Sequence, residues 1–187
     1  MDLGLSGKGA IVTGASRGLG RAIARELGRE GCRLCICARG EAALREAEAE
    51  LREAGVAVVA VAADVSTDAG AAAVIAAAAA AGPIDVLVNN VGGSSGGSFA
   101  ETELADWQRA LDQNLLPAVR MSRLALPHLL GRGGAIVHVT SVYGREWGGA
   151  YVRRPTYMAA KAAEIALSKA MALELAPRGV RVNAVAP

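Results

Sequence analysis

The stretch that most constrains this chain is a junction near its start. The β-rich run Ala10 to Thr13 passes directly into Thr13-Gly14-Ala15-Ser16-Arg17-Gly18-Leu19-Gly20, after which Leu19, Ile23 and Leu27 recur at helical spacing. A strand that feeds a helix through three glycines brings two properties to one point. Glycine lets another group approach the backbone closely, and the first turn of a helix offers unpaired amides at the positive end of its dipole. That is where the pyrophosphate of a dinucleotide sits in a strand–turn–helix unit. The spacing is G-x3-G-x-G, not the more familiar G-x-G-x-x-G, so the strand before and the helix after carry the reading. The alternative is a plain glycine-rich turn.

The same alternation continues along the chain. Leu34 to Ala38, Val56 to Ala62, Val86 to Asn89, Ala135 to Thr140 and Val180 to Val185 read as further short buried strands. Between them lie helical patterns: Leu44, Ala47, Leu51 and Ala54, an alanine-rich third helix, and Leu104, Trp107, Leu111 and Leu115. Turn signals at Gly31, Gly55, Gly82-Pro83 and Gly133-Gly134 separate the units. The expectation is an α/β fold, a doubly wound Rossmann-type parallel sheet flanked by helices. At 187 residues, with 52% hydrophobic and 20% charged residues, the chain has the length and composition for one domain with one good-sized core. Its longest apolar stretch, Ala71 to Ala81, is too short for a membrane span of about 20 residues.

The second strand closes on Cys37-Ala38-Arg39, where an acidic residue would bind the ribose 2′-hydroxyl of NAD(H). Arg39 there, with Arg17 in the glycine loop, suits a 2′-phosphate instead, so NADP(H) is expected over NAD(H). The alternative is two solvated surface charges. Asp64 and Val65 follow the third strand, and Asp64 reads either as an acceptor for the adenine amino group or as the cap of the next helix. Asn89-Asn90-Val91-Gly92 ends the fourth strand on the carboxyl edge of the sheet, where doubly wound folds bind ligands. The expected cofactor-binding set is therefore Gly14, Ser16, Arg17, Gly18, Leu19 and Gly20 in the loop, Arg39, Asp64 and Val65 beyond it, and Asn90 and Gly92 on the fourth strand.

Thr156-Tyr157-Met158-Ala159-Ala160-Lys161 sets a tyrosine and a lysine four residues apart, side by side on one helix face. A phenol titrates near 10, so proton transfer at neutral pH needs its anion favoured by about 4 kcal/mol. A neighbouring ammonium and a positive nicotinamide ring both act in that direction. A Tyr-x3-Lys pair is common by chance. What gives it weight is order: glycine loop, Asn-Asn after the fourth strand, Ser141 ending the fifth, then the pair.

With those motifs the sequence resembles the classical short-chain dehydrogenase/reductase family. The resemblance runs from about Lys8 to Pro187 and includes Thr13 to Gly20, Asp64, Asn89 to Gly92, Asn114, Ser141, Tyr157, Lys161 and Arg181 to Pro187. It implies an oxidoreductase moving hydride between the nicotinamide and a ketone or secondary alcohol. On the matching positions it implies Tyr157 as general acid or base, Ser141 as hydrogen-bond donor to the substrate oxygen, Lys161 as partner of the nicotinamide ribose, and Asn114 as the end of a proton relay. Tyr157, Lys161 and Pro187 thereby join the cofactor-binding set. Pro117 removes the amide that would bond the carbonyl of Gln113, so a helix distortion beside Asn114 is expected. A 3-oxoacyl thioester reductase of fatty-acid or polyketide type would carry the same motifs, and a catalytically silent nucleotide-binding protein is the reading of a different class.

Two departures from the family pattern stand out. Ser141 lies farther before Tyr157 than is usual, so the intervening loop, with Tyr143, Trp147, Tyr151, Arg153 and Arg154, reads as either a substrate-facing or interface segment or an inert insertion. Family members also continue past Pro187 with a loop over the nicotinamide, covering helices and a last strand, so the single domain spanning 1–187 is expected to be incomplete at its C-terminus. The helices expected at Leu115 to Leu130 and Ala159 to Ala176 carry apolar or small residues on nearly every face, which points to a homodimer or homotetramer formed through them. A net charge of +2 with scattered arginines argues against nucleic acid as a partner, and the start Met1 to Leu5 lacks signal-peptide features. The expected substrate is a small carbonyl or alcohol, and the expected location is cytoplasmic. Cys32, Cys35 and Cys37 read as small core residues, and no metal site is expected.

Overall fold

Six strands are laid side by side, all parallel, with helices returning the chain from the end of one strand to the start of the next. A computed structural model describes residues 3–94, 97–146 and 154–187. In chain order the elements are β1 (Gly9–Thr13), α1 (Gly18–Arg29), β2 (Arg33–Ala38), α2 (Glu41–Glu53), β3 (Val58–Ala62), α3 (Asp68–Ala81) and β4 (Val86–Asn89), then α4 (Leu104–Asn114), α5 (Leu116–Leu129), β5 (Ala135–Val139), α6 (Pro155–Leu175) and β6 (Arg181–Val185). The sheet order is β3-β2-β1-β4-β5-β6. The order reverses between β1 and β4, and the carboxyl ends of strands beside such a reversal form the ligand crevice of this architecture.

Strand residues alternate between two cores. Ile11, Cys35, Cys37, Leu87, Ile136 and Val182 pack with α3, α5 and the end of α6. Ala10, Val12, Leu34, Ile36, Val58 and Val88 face the other way, against α1 and α2. A period of two along each strand, with both faces covered, explains why the strands read as continuous apolar runs.

The strand boundaries differ slightly from expectation, for a reason visible in the turns. Val56 was expected in β3, yet its amide bonds back to Leu51 O at 2.9 Å, with Gly55 at φ +79°. The same closure recurs at Cys32 to Leu27 (3.0 Å, Gly31 φ +83°) and at Val180 to Leu175 (3.2 Å, Gly179 φ +76°). These three helices thus end in a Schellman closure on a left-handed glycine, and the strand that follows starts only after that bond is made. The last helix begins at Pro155, four residues before the expected start, because proline suits the first turn, where its missing amide costs nothing. The distortion expected at Pro117 is a break: α4 stops at Asn114, Leu115 bridges at φ −104°, and α5 begins at Leu116 with Pro117 in its first turn. No helix among the described residues is long and apolar enough to cross a membrane.

Candidate active site

A cleft of about 1040 Å³ opens along the carboxyl edge of the sheet at the β1–β4 reversal. Its floor is the glycine loop. Gly14 (φ +66°) and Gly18 (φ +55°) hold the chain in the left-handed region as it turns into α1. Arg17 at the N-cap makes no side-chain cap bond, so the first-turn amides of α1 keep their donors for a ligand. A Cβ on Gly20 would lie 2.3 Å from Gly14 O, so nothing larger than glycine fits there without moving the loop.

Asn90 lines the cleft and also ties this loop to β4. Its side-chain amide donates to Thr13 O (3.0 Å) and Gly14 O (3.2 Å). Thr13 Oγ1 accepts from the Asn90 amide (2.9 Å) and donates to Val88 O (3.3 Å). In the sequence Thr13 is the first residue of the loop, and nothing in its local pattern marks its hydroxyl as the pin between two strand ends. The donor set, an uncapped helix start beside a glycine loop closed too tightly for a Cβ at Gly20, fits the pyrophosphate of a dinucleotide.

At the far end of the cleft stand Arg17, Arg39, Asp64 and Val65. Asp64 Oδ1 accepts from the Ser66 amide at 2.9 Å. The Ser66 side chain first, then that amide and the charge of Arg39, hold the Asp64 carboxyl below its ordinary value against the opposing effect of partial burial. Capping of α3 falls instead to Thr67, whose hydroxyl accepts from the Gly70 amide at 3.1 Å. Of the two roles expected for Asp64, helix capping is therefore corrected: Asp64 shapes the turn and faces the cleft.

The other end of the cleft is lined by Ser141, Tyr157, Lys161 and Pro187. Tyr157 is half-buried, whereas Ser141 and Lys161 are buried. Ser141 Oγ accepts from the Tyr143 amide (3.3 Å), at the head of a short 3-10 turn, Val142–Gly144. Asn114 lies just behind the lining. Its Oδ1 accepts from the Gly93 amide (2.9 Å), and its Nδ2 donates to Ala110 O (2.9 Å). A Cβ on Gly92 would lie 2.9 Å from Asn114 Oδ1 and 3.2 Å from Lys161 Nζ, so the two side chains meet at this glycine.

Lys161 Nζ donates to Val139 O (2.9 Å) and to Glu164 Oε2 (2.8 Å). Glu164 and, beyond it, His138 formed no part of the expected site, although a carboxylate three residues after the lysine on an otherwise apolar helix was a usable signal. In the serine-to-tyrosine loop, Trp147, Tyr151 and Arg153 lie outside the described residues, while Arg154 donates to Ser94 O (3.1 Å) and Ser94 Oγ (2.8 Å). The three cysteines are buried with free thiols. Burial pushes those of Cys35 and Cys37 up to about 12. Among the described residues no three His, Cys, Asp or Glu side chains come together as metal ligands.

Known proteins carry the same frame. The family model described as short chain dehydrogenase matches residues 8–187. L-Sorbose reductase of Gluconobacter frateurii, solved with NADPH and L-sorbose, superposes with a TM-score of 0.93 at 38% identity, over 100% of this chain and 71% of that one. The actinorhodin polyketide ketoreductase, solved with NADPH, gives 0.90 at 41%, over 97% of this chain and 70% of that one. A family neighbour from Burkholderia phymatum, solved with NAD, gives 0.91 at 31%, over 98% and 66%. The ketoacyl reductase HetN of Nostoc sp. is 38% identical over 185 residues, 98% of this chain and 63% of that protein. The chain thus spans between 63% and 71% of the length of these relatives.

Proposed function

The chain belongs to the short-chain dehydrogenase family, a nicotinamide-dependent oxidoreductase of ketones and alcohols, and from that premise we propose that it transfers hydride between NADP(H) and a ketone or secondary alcohol, with Tyr157 as general acid or base. The observation that carries this is convergence on one cleft: the uncapped start of α1, Arg17 and Arg39 at one end, and Ser141, Tyr157 and Lys161 at the other.

The nicotinamide, when bound, supplies or accepts the hydride. The protein supplies position and one proton. Gly14 to Gly20 and the first turn of α1 would hold the pyrophosphate, Asp64 and Val65 would flank the adenine, and Lys161 would hold the nicotinamide ribose beside Gly92 and Pro187. The Ser141 hydroxyl would donate to the substrate oxygen, and the Tyr157 phenol would give that oxygen its proton in reduction or take it in oxidation. A proton transfer of this kind contributes about 10²–10⁴-fold to rate. Asn114, fixed between Ala110 and Gly93, would carry the proton onward from Lys161.

Preference for NADP(H) rests on the two guanidinium groups and on the lack of an acidic side chain where β2 ends. A 3-oxoacyl thioester as substrate is favoured by the ketoacyl reductases among the relatives. Assembly through α5 and α6 is supported by the exposure of Leu124 and Leu173, and a cytoplasmic location by the free thiols. NADPH and NADH oxidation followed with simple ketones and with 3-oxoacyl thioesters tests the whole reading. We expect turnover with NADPH in preference to NADH; binding without turnover of any carbonyl would contradict it and leave a silent nucleotide-binding protein.

A further inference from the structure

Behind Tyr157, Lys161 is joined to a second polar cluster whose other members, Glu164 and His138, the reaction described above does not use. Lys161, Glu164 and His138 are 3%, 0% and 0% exposed. Glu164 Oε2 accepts from Lys161 at 2.8 Å, and Glu164 Oε1 lies 3.7 Å from His138 Nδ1. His138 Nδ1 is in turn 3.5 Å from Asn89 Nδ2, which donates to Ser122 Oγ at 3.0 Å. Ser168 Oγ donates to the backbone carbonyl of Glu164 (2.8 Å), one helical turn away. The cluster therefore runs from the cleft at Lys161, under α6, to β5 and β4.

Its energetics are unfavourable unless it has a purpose. Burying two opposite charges costs several kcal/mol per ion, which their attraction offsets only with good geometry and satisfied lone pairs. Here Glu164 Oε1, His138 Nε2 and Asn89 Oδ1 make no hydrogen bond among the described residues. Apolar side chains in these places would pack the interface of α6 with β5 at less cost. An ammonium has three donors. Val139 O and Glu164 take two, leaving one for the cleft.

We propose that Glu164 is a positioning residue for Lys161: its buried carboxylate supplies the counter-charge that keeps the ammonium in place at the wall of the cleft, with His138 backing the carboxylate from β5. Few other charges act on this pair. On its own helix Lys161 has Tyr157 and Glu164, with Lys169 and Glu174 farther along it; β5 brings His138; the turn Val142–Gly144 brings Tyr143; α4 brings Arg109 and Asp112; β6 brings the exposed Arg181. Among the described residues no second buried cation stands ready to neutralise Glu164, and no second buried carboxylate to neutralise Lys161. The ion pair is self-contained.

Only the kinetic arm of the following test rests on the proposed oxidoreductase reading. The parent, Glu164→Gln, Lys161→Met and the double variant K161M/E164L are compared as full chains by melting temperature from pH 7.5 to 10, above the range in which an ordinary imidazole titrates. In Glu164→Gln the ammonium is buried without a counter-charge, and burial disfavours the charged form. That penalty applies only while the group is charged, so the destabilisation is greatest at the low end of the range and is relieved toward higher pH. We expect a melting deficit that is widest at pH 7.5 and narrows toward pH 10, and a double variant that recovers most of it. NADPH binding, read by cofactor fluorescence, is expected to persist in Glu164→Gln, while turnover of any ketone the parent reduces falls about tenfold, as for a misplaced catalytic group. A deficit constant across pH, or a double variant no more stable than Glu164→Gln, would overturn the proposal. A parent that reduces no carbonyl would instead count against the oxidoreductase reading, with the melting curves still deciding the role of Glu164.

Discussion

The two ends of the cleft are made of different material. At the glycine end the wall is backbone: left-handed turns at Gly14 and Gly18, bare amides at the start of α1, and side chains such as Asn90 and Thr13 whose bonds go to main-chain atoms. At the tyrosine end the wall is side chain: Lys161 and Glu164 buried as an ion pair, Asn114 between Gly93 and Ala110, and Ser141 capping a short turn. A backbone wall is specified by a few consecutive residues, and at Gly20 it has no room for an added atom. A side-chain wall is assembled from distant positions and tolerates exchange as long as charge and hydrogen bonds balance. Binding and chemistry should therefore be separable by mutation.

The sharpest way to break the glycine end is Gly20→Ala. Its Cβ would stand 2.3 Å from Gly14 O, so the loop must shift and carry with it the amides proposed to hold the pyrophosphate. Charge-assisted hydrogen bonds of this kind contribute about 1.5–3 kcal/mol each. We expect NADPH affinity, measured by fluorescence titration, to fall by about a hundredfold while the fold survives. Arg39→Asp is the milder probe of the same end. Losing one guanidinium contact to a 2′-phosphate should cost NADPH about tenfold in affinity and spare NADH; equal effects on both cofactors would remove Arg39 from that role.

A smaller effect is expected at Asp64, where the cleft wall doubles as a turn. Its carboxyl is held below its ordinary value of 3.8, so its contribution to stability is present above that pH and is lost as pH falls through the lower native value. Asp64→Asn should cost about 0.5 kcal/mol at pH 7, given solvent screening. Denaturant titrations at pH 7 and below pH 3 should show the gap closing in acid. No effect at all is expected from thiol reagents at pH 8 on the native protein. Burial places Cys35 and Cys37 at about 12 and also raises Cys32, so labelling of any of the three before unfolding would contradict the packing of β2 between two helical layers.

How much was legible follows from the same contrast. The alternation of short apolar runs with helical periodicity marked the sheet, and the glycine loop marked one end of the cleft, because both are local: a left-handed glycine or a strand period is written in adjacent residues. Every residue expected to bind cofactor lines the cleft. The exact starts of β3 and α6 were missed because a closing bond from Val56 and a permissive Pro155 decide them. Glu164 and His138 were missed for a different reason. Their significance lies in a 3.7 Å approach between α6 and β5, 26 positions apart in the chain, and the spacing of Lys161 and Glu164 along the helix does not by itself say that both are buried.

The most direct test of the account is Tyr157→Phe, with turnover and NADPH binding measured on the same preparation against a ketone that the parent reduces. The change deletes one hydroxyl from the side-chain wall and leaves the backbone wall untouched. The account predicts that turnover falls by about 10³-fold or more with NADPH affinity within about twofold of the parent, since only a proton donor is lost. A variant that retains substantial turnover would contradict the assignment of Tyr157, and with it the claim that chemistry and cofactor binding sit on separate walls of one cleft.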